Sequence, residues 1–313
     1  MQPIVDFNEV PIAKGYYYGG NAGAKNAVLY EGAVWMIKYP KSTRGLMNPQ
    51  ISYTTSPLSE YIGSKIYEIL GIPVHETKLG TRGNKIVVAC KDFTGRGERL
   101  VPFHDLKNSF MSSDLESYSG SGSETLLDEV IATIKGQDDL KTITGVMERF
   151  WDMFVVDAFI GNSDRNNGNW GILIGSGGED ISLAPVFDNG NAFFGKRSLA
   201  QMEKRIGDEK AMYEDACGTL VSAYKYTGLG NEGHRINPFA FFENGGNDDC
   251  REAVLRFLRR MDFGKIEGII DEIPEVSGNL QVMPEVQKRF YVELMRVRFG
   301  ELGRLAERES KSF

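Results

Sequence analysis

The chain has 313 residues, 41% of them hydrophobic and 25% charged, which is long enough for a substantial core and excludes a disordered chain. Against 36 basic residues stand 43 acidic ones, and the net charge of −7 argues against autonomous binding to nucleic acid or an anionic membrane. The three cysteines, Cys90, Cys217 and Cys250, are scattered; they suggest no disulfide framework or zinc cluster and fit a reducing cytoplasm.

The opening MQPIVDFNEV lacks a basic region followed by an apolar run, so no signal peptide is expected, and no apolar run approaches the ~20 residues of a membrane span. A soluble cytoplasmic protein is expected, with export by a route needing no such peptide left open. The first hundred residues predict strands and turns with one helix among them. YYYGGNAGAK is Gly-rich, and Gly19, Gly20, Asn21, Ala22 and Gly23 are the candidates there for backbone contact with phosphate. A flexible hairpin tip has the same composition. No G-x-x-x-x-G-K-[ST] occurs, which disfavours a P-loop NTPase.

AVLYEG and AVWMIKYP predict an antiparallel pair around Glu31-Gly32, ending on Lys38. In kinases a strand lysine so placed pairs with nucleotide phosphates and a helix glutamate, although a solvent-facing lysine also fits the position. In PLSEYIGSKIYEILGIPV, Leu58, Ile62, Ile66 and Ile69-Leu70 recur at helical spacing, with Gly71 as a stop. Glu60 lies in the first turn, where the helix dipole favours an acid and a partnership with Lys38 is possible. KIVVAC reads as the next strand, and Cys90, Lys91 and Asp92 are the candidates for a hinge whose backbone meets adenine. The three histidines, His75, His104 and His234, are too dispersed for a metal site or triad and are expected at the surface or as caps.

From about Val101 the pattern turns helical, with a Ser- and Gly-rich loop over 112–123 and a helix over 124–136. GVMERFWDMFVVDAFIGN is apolar on nearly every face and predicts a buried helix, in which Asp157 needs partners, in the loop that follows or elsewhere. Then comes GNSDRNNGNWGILIGSGGEDISLAPVFDNG. Two turn-rich runs flank two β-type runs, WGILI and ISLAPVF. The first turn carries Asp164 and Asn169, in the order Asp-x-x-x-x-Asn; the second carries Asp188-Asn189-Gly190. Phosphoryl transfer asks for this set: one carboxylate for the hydroxyl proton, with an Asn and an Asp for the metal. Either turn alone also fits a structural role, because Asn, Asp and Gly tolerate positive φ. Further helices are expected over 211–227, 248–261, 263–272 and 284–307.

RFWDMFVVDAFIGNSDRNNGNWGIL and SLAPVFDNGNAFF resemble the HipA-type bacterial serine/threonine kinases, nearest the compact CtkA branch. WMIKYP, PLSEYIGSKIYEILGI and VVACKDF extend the likeness into the first hundred residues. The resemblance implies an α+β, two-lobed kinase-like fold, with a β-rich lobe over 1–95 and a helical lobe over 96–313. It implies transfer of the γ-phosphoryl of ATP, with Mg²⁺, to Ser or Thr of a protein, autophosphorylation included. Asp164 takes the base position, Asn169 and Asp188 the metal positions, Lys38 the phosphate position and Glu60 the place of its partner. Two features depart from the family. The motif Asp-Arg-His-x-x-Asn has Asn166 in place of its His, and YYYGGNAGAK has no Ser or Thr for the regulatory phosphorylation that HipA carries there. A small-molecule kinase and an inactive pseudokinase or toxin-like binding module remain as alternatives.

Overall fold

The computed structural model describes residues 4–19, 24–46, 51–95, 97–112, 121–227, 233–244 and 246–310. It divides into two compact units, the first of residues 1–93, 188–216 and 260–298, the second of 94–187, 217–259 and 299–313. The first switch between units falls two residues before the expected boundary at 95. Residues 188–216 and 260–298 group with the N-terminal residues rather than with the helices around them in sequence.

The first unit opens with strands β1 (Val5–Asp6), β2 (Lys25–Tyr30) and β3 (Ala33–Lys38), then helix α1 (Ser56–Ile69) and strands β4 (Thr77–Arg82) and β5 (Lys85–Lys91). The sheet order is β1-β4-β5-β3-β2, antiparallel except for the β1–β4 pair. The β2–β3 hairpin turns at Glu31 and Gly32, both at positive φ, as a two-residue turn matched to strand twist requires. Phe7, Val28, Trp35, Ile37, Val87 and Ala89 form the core of this sheet. Gly80 permits it: a Cβ there would fall 2.4 Å from the Phe7 ring.

The second unit begins with β6 (Arg99–Pro102), α2 (Phe103–Ser112), α3 (Leu127–Gly136), α4 (Asp138–Lys141) and α5 (Val146–Ile160). Helix α5 is the apolar helix of the sequence, with Phe150, Trp151, Phe154, Val155, Phe159 and Ile160 all buried. Gly161 ends it in the left-handed conformation. Strands β7 (Gly171–Ile174) and β8 (Ile181–Leu183) follow and pair antiparallel, with β6 on the other side of β7. β8 stops well short of the expected ISLAPVF run, since Pro185 has no amide hydrogen for a ladder.

Helices α6 (Leu199–Ile206) and α7 (Glu209–Tyr213) come next, and α7 passes into a single π-helical turn, Glu214–Gly218. The helix expected through 227 ends here. Asn237 Nδ2 takes the carbonyls of Cys217 and Gly218, each at 2.8 Å, and Lys225 instead bridges to Leu126 and Arg235 as extended chain. The remaining elements are α8 (Pro238–Glu243), α9 (Asp248–Arg260), α10 (Phe263–Glu272), the short pair β9 (Val276–Ser277) and β10 (Leu280–Gln281), and α11 (Glu285–Ser310). No helix among the described residues is long and apolar enough to cross a membrane. Of the loop expected over 112–123, residues 113–120 lie outside the described residues.

Candidate active site

Lys38 closes β3 with its side chain turned inward; the residue is only 7% exposed. Its ammonium donates to Glu60 Oε2 at 2.8 Å and to Asp188 Oδ1 at 2.9 Å. Burial alone would push the Lys38 pKa down, but the two carboxylates outweigh burial and hold it above the usual lysine range. Glu60 shows the converse: burial would raise its pKa, and Lys38 and then His75 hold it below the usual carboxylate range. Both groups are therefore charged at neutral pH. The solvent-facing reading of Lys38 does not apply to this geometry.

Glu60 is positioned by α1, which begins at Ser56 with Pro57 in its first turn, where a missing amide hydrogen costs nothing. One face of α1 fastens the chain that follows Asp188. Ser59 Oγ donates to the Ala192 carbonyl at 2.9 Å, Asn189 Nδ2 to Ser64 Oγ at 3.1 Å, and the Asn189 amide to Glu60 Oε1 at 3.0 Å. Asp188 itself sits at φ +61°, a conformation a short Asp adopts more easily than a bulky residue. At Gly190 a Cβ would lie 3.1 Å from Glu60 Oε2, so the glycine lets the turn close on the glutamate.

His75 was expected at the surface, but it is 3% exposed, and Nε2 lies 3.0 Å from Glu60 Oε1. The close approach of this ring to the carboxylate helps to hold the Glu60 pKa down. Ligand-type atoms of Glu60, His75 and Cys90 lie within 4.8 Å of one another, and Lys38 supplies the cation beside them. Burial raises the Cys90 thiol pKa well above its ordinary value, which keeps the sulfur protonated and inert.

In the second unit, the loop after α5 is built around Arg165. Its guanidinium meets Asp157 through Nε at 2.9 Å and a second nitrogen at 3.2 Å, and donates to the carbonyls of Asn169, at 3.0 Å, and Phe187. Asp157 thus finds its partner in a side chain of that loop, and the Asn162 amide adds a contact at 3.1 Å. The loop then closes on itself. Asn169 Nδ2 donates to the Asp164 carbonyl at 2.7 Å, and Asn166 Nδ2 to Asp164 Oδ1 at 3.1 Å. Asn166 Oδ1 accepts from the Gly168 amide at 2.9 Å. At the position of the motif's histidine, asparagine therefore makes both a turn-closing bond and a bond to the base candidate. Phe103 stacks on Trp170 with ring centroids 4.1 Å apart, which fixes the far end of the loop.

The expected site residues fall into two sets, each joined internally: Lys38, Glu60 and Asp188 in the first unit, Asp164 and Asn169 in the second. Gly19 is described; Gly20, Asn21, Ala22 and Gly23 lie outside the described residues. Cys90 and Lys91 lie within β5, and the amides of Lys91 and Asp92 are taken by the Glu76 and Val34 carbonyls at 2.9 Å each. Neither amide has a hydrogen left for an adenine edge, so the expected hinge register does not provide donors at these two residues. Sequence reasoning missed Arg165 and His75, whose roles depend on partners distant in the chain.

A strand lysine joined to both a helix glutamate and the aspartate of an Asp-x-Gly turn marks the kinase-like class of α+β fold. The family described as HipA-like C-terminal domain matches residues 21–225, and the chain belongs to that family of kinases. It is 35% identical over 289 residues to Serine/threonine-protein kinase CtkA of Helicobacter pylori, which covers 92% of this chain and 83% of that protein. The crystal structure of a Helicobacter pylori proinflammatory kinase CtkA matches with a TM-score of 0.86 at 32% identity, over 99% of this chain and 98% of that one. HipA in a Shewanella oneidensis toxin–antitoxin complex with HipB and operator DNA matches with a TM-score of 0.51 at 13% identity, over 94% of this chain and 67% of that one. That last likeness concerns the fold alone.

Proposed function

We propose that this kinase transfers the γ-phosphoryl group of ATP, with Mg²⁺, to Ser or Thr hydroxyls of a protein, its own included. The observation that carries the reading is Lys38 held between Glu60 and Asp188. A buried ion-paired lysine is costly to build as a mere strand end, and this pairing is what kinases use to aim a lysine at phosphate. The name of the Helicobacter relative, a serine/threonine-protein kinase, supports the acceptor class.

The donor set suits the metal. Asp188 offers a carboxylate and Asn169 an amide oxygen, hard oxygen ligands of the kind Mg²⁺ prefers, and the Asn169 amide nitrogen is already bound to the Asp164 carbonyl. A Mg²⁺ ion held by these donors would supply positive charge against the phosphates. Lys38 donates to the phosphate chain, and Glu60 keeps it aimed there. Asp164 accepts the proton of the attacking hydroxyl, with Asn166 orienting its carboxylate. Arg165 and Asp157 hold the backbone of this loop in shape before substrate arrives.

Purified protein incubated with γ-labelled ATP, Mg²⁺ and a generic protein acceptor, beside a panel of small alcohols, tests the reading. Label on Ser or Thr that disappears when EDTA replaces Mg²⁺ is the expected result. Label on an alcohol alone would make this a small-molecule kinase, and no transfer at all would leave an inactive kinase-like binding module.

A further inference from the structure

A cleft of about 350 Å³ lies wholly within the first unit, its walls drawn chiefly from residues 51–58, 84–86, 197–202 and 280–287. That volume suits a small organic molecule, and none of Lys38, Glu60 and Asp188 lines it. Leu58, Ile86, Leu199, Met202, Leu280 and Val282 make the wall apolar, and Ile86, Leu199 and Leu280 among them are only half-buried. A bound apolar group would take their remaining surface out of water. No acid is found among the described lining residues, whereas two cations, Lys85 and Arg197, are. Arg197 is already answered by a two-pronged pairing with Asp215. Lys85 is not: its ammonium lies over the Tyr53 ring, 4.4 Å from the centroid, with no carboxylate in ion-pair range among the described residues.

Two further lining residues offer open donors. Helix α1 starts here with no side-chain cap, and no acid precedes Glu60 in it. The amide of Leu58, in its first turn, has no acceptor among the described residues, and such N-terminal amides favour an anion. Gln287 is 3% exposed; its Nε2 donates to Tyr291 Oη at 3.0 Å, and the rest of the carboxamide has no partner among the described residues. Buried polar groups are normally partnered, so an unpartnered carboxamide on a cleft wall points to a ligand. We propose that the cleft binds a small amphipathic carboxylate. Its aliphatic or aromatic body covers the apolar wall, Lys85 supplies the counter-charge, and Leu58 and Gln287 supply donors. One unanswered cation suits a monoanion better than a phosphate dianion. The assignment is independent of the ATP-dependent reading above.

Octanoate is the probe, with octanamide as its uncharged counterpart and acetate as its head group alone. Isothermal titration on wild type, Lys85→Met and Leu199→Trp tests the assignment, with thermal unfolding of each unliganded protein as control. Lys85→Met removes the charge but keeps an unbranched side chain. Leu199 is half-buried, so Leu199→Trp narrows the cleft without replacing a core side chain. Octanoate should bind wild type with a Kd of about 1 mM or below, and about tenfold or more tighter than octanamide or acetate. Lys85→Met should weaken it about tenfold, the worth of a charge-assisted bond, and Leu199→Trp at least as much, with both melting temperatures near wild type. Octanoate that fails to bind below about 10 mM overturns the proposal. Octanamide or acetate binding as tightly as octanoate overturns it as well, since the site would then need no charge or no apolar body. Octanoate binding to both variants as to wild type places the ligand elsewhere and also overturns it. Wild type that dimerises without ligand while Leu199→Trp stays monomeric gives the cleft to a second copy of the chain instead.

Discussion

The backbone amide of Asn189 donates to Oε1 of Glu60 at 3.0 Å while Oε2 of the same carboxylate holds Lys38 at 2.8 Å. One buried side chain on α1 therefore fixes both Lys38 and the turn that carries Asp188. Glu60→Gln keeps the shape but removes the charge that Lys38 answers. Removing one partner of a buried ion pair typically costs about 3–5 kcal/mol, and Asp188 remains as a second partner of Lys38, so a loss near ~3 kcal/mol is expected. Urea unfolding gives the stability and the transfer assay the activity. Both should fall, and an unchanged stability would mean that the glutamate is not the anchor described here.

The same pair fixes the sign of a pH effect. The pKa of Glu60 is depressed in the folded state, so its contribution is present above the unfolded carboxylate value and lost as pH falls toward the folded one. The pKa of Lys38 is raised, so its contribution is present below the unfolded lysine value and lost only as pH rises through the higher folded one. The stability difference between wild type and Glu60→Gln should thus be flat from about pH 6 to 9 and shrink below about pH 4.3, the unperturbed glutamate value. Thermal melts at a series of pH values check this. A difference that changes steadily across the neutral range would contradict the charge assignment.

Arg165 and Asp157 make the corresponding structural pair in the second unit, at 2% and 6% exposure. Asp157→Ala should destabilise the protein by about 3–5 kcal/mol, because it strands a buried guanidinium. The double variant Asp157→Leu with Arg165→Met should recover a good part of that loss. Denaturant unfolding of the single and double variants reads the coupling, and strict additivity would mean that the contact contributes nothing as a pair.

How legible was this in the sequence? The hydrophobic spacing that ends at Gly71 marked α1, and the apolar run between the Glu31-Gly32 turn and Lys38 marked β3, because both signals are local in the chain. The loop and turn aspartates followed from Asp-x-x-x-x-Asn and Asp-x-Gly. His75 and Arg165 were not legible, since a histidine or arginine beside a buried carboxylate looks in sequence like any surface polar residue. The helix expected through 227 failed because Asn237, nearly 20 residues downstream, caps carbonyls that helical periodicity cannot report.

Asn166 tests whether the departure from the family's histidine matters. Its amide binds Asp164 Oδ1 and its oxygen the Gly168 amide, so Asn166→Ala loosens the carboxylate without touching the Lys38 group. Transfer should slow by about tenfold, the worth of one hydrogen bond to a charged group, while affinity for the ATP analogue stays within about twofold. Stopped transfer assays and analogue titration on the one variant distinguish this from a general loss of folding, which would lower both.

The central claim is a division of labour between Asp188 and Asp164, and analogue titration run beside transfer on Asp188→Ala and Asp164→Asn tests it most directly. Asp188→Ala removes the proposed metal ligand and a partner of Lys38, so it should lose Mg²⁺-dependent nucleotide binding and transfer together. Asp164→Asn should bind the analogue nearly as wild type while transfer falls roughly 10²–10⁴-fold, the usual worth of a general base. Equal loss of binding in both variants, or wild-type transfer in either, would contradict the account.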